Sequence, residues 1–282
     1  MDQLLDLVTK TKIPVGREAG RAFDWLTLHA SDFFDAVASG LEGMIEGVKW
    51  VLLTPHPFVI VLAFAALAHL LQRNWPTTLG IVAGFLFILN QGYWTETMES
   101  LTLVLTACVF CMAIGVPIGI ALAHRPRLYE WVRPLLDLMQ TLPTYVYLIP
   151  VIVFFGVGMV AGLIATVVFV LPAPIRLTQL GIASTPRTLI EAATAFGATP
   201  RQLLWKVELP SALPQIMTGL NQTIMLSLSM VVIAGLVGAD GLGVPVVRAL
   251  NTVNASLGFE SGLVVVVVAV MLDRLLRVRR KT

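Results

Sequence analysis

Between residues 31 and 53 the apolar positions Phe34, Val37, Leu41, Met44, Ile45, Val48, Val51 and Leu52 recur at intervals of three and four. Asp35, Ser39, Glu42, Glu46 and Lys49 fall between them. This spacing predicts one amphipathic helix, capped by Ser31 or Asp32 and ended by Pro55-His56-Pro57. Helices that lie on lipid usually carry a basic polar face, and this one is acidic. Two readings therefore stand: a helix at the membrane surface, or one packed on a neighbouring span or subunit. Beyond it the pattern turns from periodic to continuous, with apolar runs at about 58–72, 77–93, 99–123, 134–155, 159–182, 213–238 and 262–277. Several approach the roughly 20 residues that cross a bilayer as helix. The pattern predicts an all-α, polytopic membrane bundle of about seven spans behind the N-terminal amphipathic helix. Residues 1–56 form the tail with that helix (about 31–53), and residues 57–282 form the spanning domain.

Composition agrees with this reading. The chain is 57% hydrophobic and only 13% charged, where soluble domains carry about 25% charged residues. A net charge of +2 gives no footprint for nucleic acid; the positive charges sit in particular loops and report topology. Arg73, the trio Arg125, Arg127 and Arg133, the stretch 185–210 and the group Arg274, Arg277, Arg279, Arg280 and Lys281 share one side. Loops 91–99, 156–158 and 239–261 hold little positive charge and share the other. Positive loops face the cytoplasm, so the C-terminus is expected inside and the N-terminus outside. The start, MDQLLDLVTK, lacks the long apolar core of a cleavable signal peptide.

One stretch interrupts the apolar pattern. Residues 185–210 carry Arg187, Glu191, Arg201, Lys206 and Glu208 between two long apolar runs. Thr185-Pro186 and Thr199-Pro200 each read as a helix start, with the threonine hydroxyl as cap and the proline at the first helical position. Gly197 suits a left-handed stop, and Pro210 blocks continuation. The reading is a pair of short polar helices outside the lipid.

Candidate chemistry is sparse. None of the five lysines follows a glycine in the G-x-x-x-x-G-K-[ST] frame, so no phosphate loop is expected. Four scattered histidines supply neither a metal set nor a nucleophilic triad. Cys108 and Cys111 have redox spacing but lie inside an apolar run, where nothing would activate a thiolate. They read as small packing residues, and His69 reads as a helix-end or packing residue. The expected role is a path, an anchor or a relay without covalent chemistry, cofactor or metal.

Glu191-Ala192-Ala193, Gly197 after three residues, and Val207-x-Leu209-Pro210 resemble the EAA loop of binding-protein-dependent ABC importer permeases. That pattern is EAA-x3-G-x9-I-x-LP, and Val207 for Ile is its one departure here. The resemblance implies the type I importer permease fold. It also implies that Glu191, Ala192, Ala193, Gly197, Leu209 and Pro210 couple the chain to a cytoplasmic ATPase subunit, which would bind the ATP. Small alanines admit a close partner backbone, Glu191 offers a charged contact, and Gly197 permits the bend between the two helices.

The segment Asp137-x-Met139-Gln140-Thr141-x-Pro143-x-Tyr145-Val146-Tyr147-Leu148-Ile149-Pro150, followed by FFGVG, is similar to permeases for glycine betaine, proline betaine and choline. Leu171-Pro172-x-Pro174-x-Arg176-Leu177-Thr178 and Gly238-Ala239-Asp240-Gly241-Leu242-Gly243 fit the same group, and the likeness runs from about residue 33 to the end. It implies a homodimer with two ATPases and a separate periplasmic binding protein, in the inner membrane of a bacterium. Tyr145 and Tyr147 lie in a segment expected to be broken between Pro143 and Pro150, where aromatic faces would attract a quaternary ammonium. Gln140, Thr141, Asn221 and Gln222 are the other polar candidates for the path, against a reading as interhelical hydrogen bonds. Asp137 and Arg176 are either an intramembrane ion pair or two snorkelling side chains. A secondary, ion-coupled transporter and a membrane anchor for a cytoplasmic partner are the alternatives; neither accounts for the EAA spacing.

Overall fold

A computed structural model describes residues 14–276. Residues 1–13 lie outside this range, as do the basic positions Arg277, Arg279, Arg280 and Lys281. Every regular element in the described range is helical. In order these are α1 (Val15–His29), α2 (Ser31–Leu53), α3 (Pro57–Gln72), α4 (Trp75–Gln91), α5 (Trp94–Ala123), α6 (Pro126–Thr141), α7 (Thr144–Phe155), α8 (Met159–Val170), α9 (Pro172–Ala183), α10 (Arg187–Ala195), α11 (Pro200–Leu203), a π-turn (Leu204–Glu208), α12 (Leu209–Leu236), α13 (Gly243–Asn251) and α14 (Ala255–Leu276).

Four helical stretches are long and apolar enough to cross a membrane: Trp94–Ala123, Met159–Ala183, Pro200–Leu236 and Ala255–Leu276. Two bent pairs raise the number to six if each counts as one span: α2 with α3, at 97°, and α6 with α7, at 91°. The bends follow from proline. His56 and Leu142 are extended (ψ 138° and 133°) because the residue before a proline is driven out of the helical region. The apolar run 134–155 is thus two helices broken at Leu142-Pro143. Pro150 stays inside α7, so only the first of the two expected breakpoints bends the chain.

Helix α2 has the predicted bounds but not the predicted cap. Its N-cap is Ala30, which also terminates α1, so Ser31 is already helical and no side chain caps the helix. Asp32 in the first turn still complements the helix dipole. The apolar face of α2 packs on the bundle: Ile45 is buried with Ala107 of α5 and Leu163 of α8.

The centre of the fold is α9, which lies between α5 and α12. Lipid tails are as apolar as leucine, so spanning helices are held by close packing of small residues. A methyl group at Gly119 would sit 2.7 Å from the Ile175 carbonyl oxygen and 2.7 Å from Thr178 Cβ; at Gly115 it would sit 2.8 Å from Pro174. Gly181 meets Ala212 and Gly219 meets Leu177 on the adjoining face of α9. A larger cluster joins α3, α4, α5, α12 and α14 through Phe85, Ile88, Met98, Leu101, Leu228, Val264 and Val268. Hydroxyls buried in the spans bond back to their own helix, as Thr102 to Met98, Thr106 to Thr102 and Thr223 to Gly219. Cys108 and Cys111 are buried and unpaired. His69 sits in the last turn of α3 with its ring 4.7 Å from that of Trp75.

Gly119→Leu is expected to destabilise the purified subunit by about 1–3 kcal/mol, the usual cost of overpacking. Gly80→Leu, at a position that faces open space, is the control. Thermal unfolding in detergent compares them, and equal melting temperatures would refute the packing argument.

Candidate functional site

Helix α10 and the turn after it stand away from the bundle. No residue of α10 is buried, and Glu191, Ala192, Ala195 and Gly197 are exposed, with Ala193 half-buried. The stop is a left-handed one: Gly197 has φ +79°, its N–H bonds the Thr194 carbonyl at 2.9 Å, and the Ala198 N–H bonds Ala193 at 3.1 Å. The restart is a capping box. The Gln202 N–H donates to Thr199 Oγ1 at 3.3 Å, and the Thr199 N–H donates to Gln202 Oε1 at 2.9 Å. Both ends of the bend are thereby fixed by local hydrogen bonds. Exposed apolar side chains flank it: Phe196 is 94% and Trp205 69% exposed, with Leu189 beside them. The sequence reading passed over these aromatics, although Phe and Trp among charges between two spans were visible in it.

Two local expectations are overturned. Thr185 does not cap α10: Pro186 holds the cap position without a side-chain bond, and Thr185 Oγ1 is buried without a partner. The proline moved the helix start one residue later, out of reach of that hydroxyl. Nor does Pro210 block continuation. The helix runs from Pro200 to Leu236, because the π-turn Leu204–Glu208 lies just ahead of the proline. The Leu209 N–H bonds back five residues to Leu204, and the widened turn relieves the clash that Pro210 would make with the Lys206 carbonyl in a regular helix. Leu209 and Pro210 therefore start a span; Leu209 packs with Ile182, Ala212 and Ile216.

The path candidates do not form one site. Tyr145 and Tyr147 lie two apart on α7, and such positions do not face each other on a helix. Tyr145 is exposed, while Tyr147 packs with Leu148, Ile233 and Val237 and its hydroxyl has no partner. Asn221 and Gln222 lie roughly 18 Å further along α12 from Ile233, at 1.5 Å per residue. Gln140 and Thr141 end α6, beside the break. A stripe on α12, polar but for Met225, is clearer: Gln215, Thr218, Gln222, Met225 and Ser229, spaced three and four apart, are all exposed or half-buried. Asn221 Oδ1 and Gln215 Oε1 are buried without partners.

Charged contacts link the elements. Arg176 donates to Asp137 at 2.6 Å, joining α9 to α6. At the other end of α5, Lys49 of α2 lies 3.3 Å from Glu99 and 3.6 Å from Asp240 of the glycine-rich loop. The same loop donates the Leu242 N–H to Ser100 Oγ at 2.8 Å. His124, just past α5, meets Glu208 of the π-turn at 2.9 Å. The sequence reading missed the Lys49 and His124 contacts, since partners 50 to 191 residues apart leave no mark in local spacing. Among the described residues no group of three His, Cys, Asp or Glu side chains could hold a metal ion.

A helical membrane bundle that holds an exposed, locally fixed elbow at one end of its spans is the architecture of a transporter's membrane subunit. Residues 115–278 match the family model of the binding-protein-dependent transport system inner membrane component. The chain is 43% identical over 278 residues to the glycine betaine transport system permease protein OpuAB of Bacillus subtilis, covering 96% of this chain and 97% of that one. It is 42% identical over 275 residues to the glycine betaine/proline betaine transport system permease protein ProW of Escherichia coli, covering 96% and 77%. An inward-facing structure of the MetNI methionine ABC transporter matches with a TM-score of 0.58 and 27% identity, over 64% of this chain and 93% of that one. The chain belongs to the binding-protein-dependent transport permeases. It is a multi-pass inner-membrane subunit of an ABC transporter, not itself catalytic, and such a subunit implies an ATPase and a binding protein as partners.

Asp137→Arg and Arg176→Asp are each expected to lower transport, and the double reversal to recover most of it. Failure of the double variant to recover would count against a working ion pair. Thr199→Ala, which removes the capping box, is expected to cost about 1 kcal/mol in thermal unfolding.

Proposed function

We propose that this chain is the permease subunit of an ATP-driven importer of quaternary ammonium osmolytes of the glycine betaine, proline betaine and choline class. The observation that carries this is its likeness to OpuAB over nearly the whole of both chains. The elbow at 185–210 is the docking element for the ATPase. Glu191 supplies a charged contact, and Ala192 and Ala193 a surface that a partner backbone can approach. Gly197 supplies the bend, with Leu209 and Pro210 at the root where the elbow becomes span. ATP-driven closure of two ATPase subunits moves the elbow, and the spans exchange between inward-open and outward-open arrangements.

The working unit is a pair of permease chains. Gln222 is exposed on α12. Carboxamides on a spanning helix face a protein neighbour or water rather than lipid tails. A second copy set against the stripe from Gln215 to Ser229 would enclose a polar path. Gln140, Thr141, Asn221 and Gln222 would line parts of it, with Tyr145 and Tyr147 nearer its outer end. The chain divides into an N-terminal part, 1–56, and a spanning domain, 57–282. In this reading the elbow and the basic loops around Arg73 and Arg125 face the cytoplasm, with the C-terminus inside and the N-terminus in the periplasm, which requires the 17-residue α4 to cross as a seventh span. A separate periplasmic binding protein delivers the cation.

Labelled glycine betaine uptake is measured in vesicles holding the permease, its ATPase and its binding protein. Uptake that requires ATP is expected. Glu191→Ala and Gly197→Val should each cut uptake roughly ten-fold, about 1.4 kcal/mol, with the folded subunit still present and ATP still hydrolysed. Uptake without an ATPase, or normal coupling in both variants, would refute the assignment.

A further inference from the structure

Glu208 is the only aspartate, glutamate, lysine, arginine or histidine in the buried class among the described residues. It lies in the π-turn that joins the elbow to α12. An unpaired buried carboxylate would be costly, so its single partner matters. That partner is His124. The ring Nδ1 lies 2.9 Å from the Ile120 carbonyl oxygen, and Nε2 lies 2.9 Å from Glu208 Oε2. A carbonyl oxygen only accepts, so Nδ1 must carry a hydrogen. Nε2 then faces Glu208 Oε2 across one shared hydrogen, so the two side chains hold each other at hydrogen-bond distance.

We propose that the His124–Glu208 contact is the joint through which movement of the elbow reaches α5, which makes both side chains positioning residues for coupling. The joint caps an apolar cluster of Ile182, Ala212 and Ile216, with Ile120, Leu204 and Leu209 packed against it. The end of α5, the end of α9 and the root of the elbow thus meet at one point. The two short helices of the elbow, α10 and α11, have no buried residue through which force could pass to the spans. A π-turn is a place where helix register is already disturbed, so a push from below meets least resistance there. The far end of α5 is tied to the outer loop by Glu99 and Ser100. A displacement of Glu208 is therefore carried along α5 to the loop at 238–243 as well as along α12.

The inference rests on the elbow being the ATPase contact. The test uses the full complex in vesicles and measures substrate moved per ATP hydrolysed. His124→Leu is expected to lower that ratio about five-fold or more, the low end of typical coupling energies, while ATPase assembly and hydrolysis persist. His124→Lys, which keeps an N–H donor facing Glu208, is expected to stay within about two-fold of the original ratio, a difference under 0.5 kcal/mol. A normal ratio in His124→Leu overturns the proposal, and so does a His124→Lys complex as uncoupled as His124→Leu. If His124→Leu does not assemble, Glu208→Gln keeps size and an acceptor oxygen without the charge. A lowered ratio there supports the joint and an unchanged one overturns it. Failure of the underlying reading shows separately, as absence of ATP-driven uptake in the unaltered complex.

Discussion

The approach of α9 to α5 fixes where everything else in the bundle can sit. Two glycines a turn apart, Gly115 and Gly119, leave a channel along α5 into which Pro174, Ile175 and Thr178 fit at distances that no side chain at either glycine would permit. In water such a contact would be helped by expulsion of solvent. In a bilayer it must be won by van der Waals contact and backbone proximity. The adjoining face of α9 repeats the solution against α12 with Gly181 and Gly219, and Pro174 serves both contacts. The three helices therefore pack as a triangle, since α5 and α12 also touch each other. Because α9 leads into the elbow and α12 leads out of it, this packing also sets where the elbow emerges.

Charge then organises what packing leaves free. The apolar contacts of α5 tolerate some sliding, but its ends are tied: Glu99 and Ser100 hold the outer loop and α2, and the His124 contact holds the π-turn. A helix of 30 residues spans about 45 Å, so the two ties lie at opposite ends of α5. Helix α2 belongs to this scheme although residues 31–53 precede the region that the family model covers. Its Lys49 is the cation between Glu99 and Asp240, and without it those carboxylates would face each other.

The class of fold and the place of the elbow were legible because both depend on local signals. Continuous apolar runs have no other stable home than lipid or a core, and Gly197 and Thr199 act on backbone groups within five residues of themselves. What the chain did not disclose depends on distance or on competition. The bend at Leu142-Pro143 and the passage through Pro210 both involve proline, yet one breaks the helix and the other does not. The difference is the π-turn ahead of Pro210, a response of the backbone that no residue type announces. The tyrosines of α7 were legible as aromatic but not as a pair, since helical geometry sets positions 145 and 147 on different faces. The joint between His124 and Glu208 required knowing that 84 residues of chain return to the same place.

The continuous helix from Pro200 to Leu236 changes what the elbow is able to do. Two separate short helices between spans would absorb a push in the loops that joined them. Here the second short helix is the first turn of a rod of 37 residues, about 55 Å long. The capping box fixes its foot, and the only irregularity along its first three turns is the π-turn, where the rod is pinned to α5. A force on α10 passes through the bend at Gly197, which local hydrogen bonds hold at both ends, and then meets a lever with a fulcrum near Glu208. The short arm below that point is exposed; the long arm crosses the bundle and ends at the glycine-rich loop beside α5. With the elbow as the proposed ATPase contact, small motion at the short arm becomes larger motion at the far end of α12, the direction of amplification that such a drive requires.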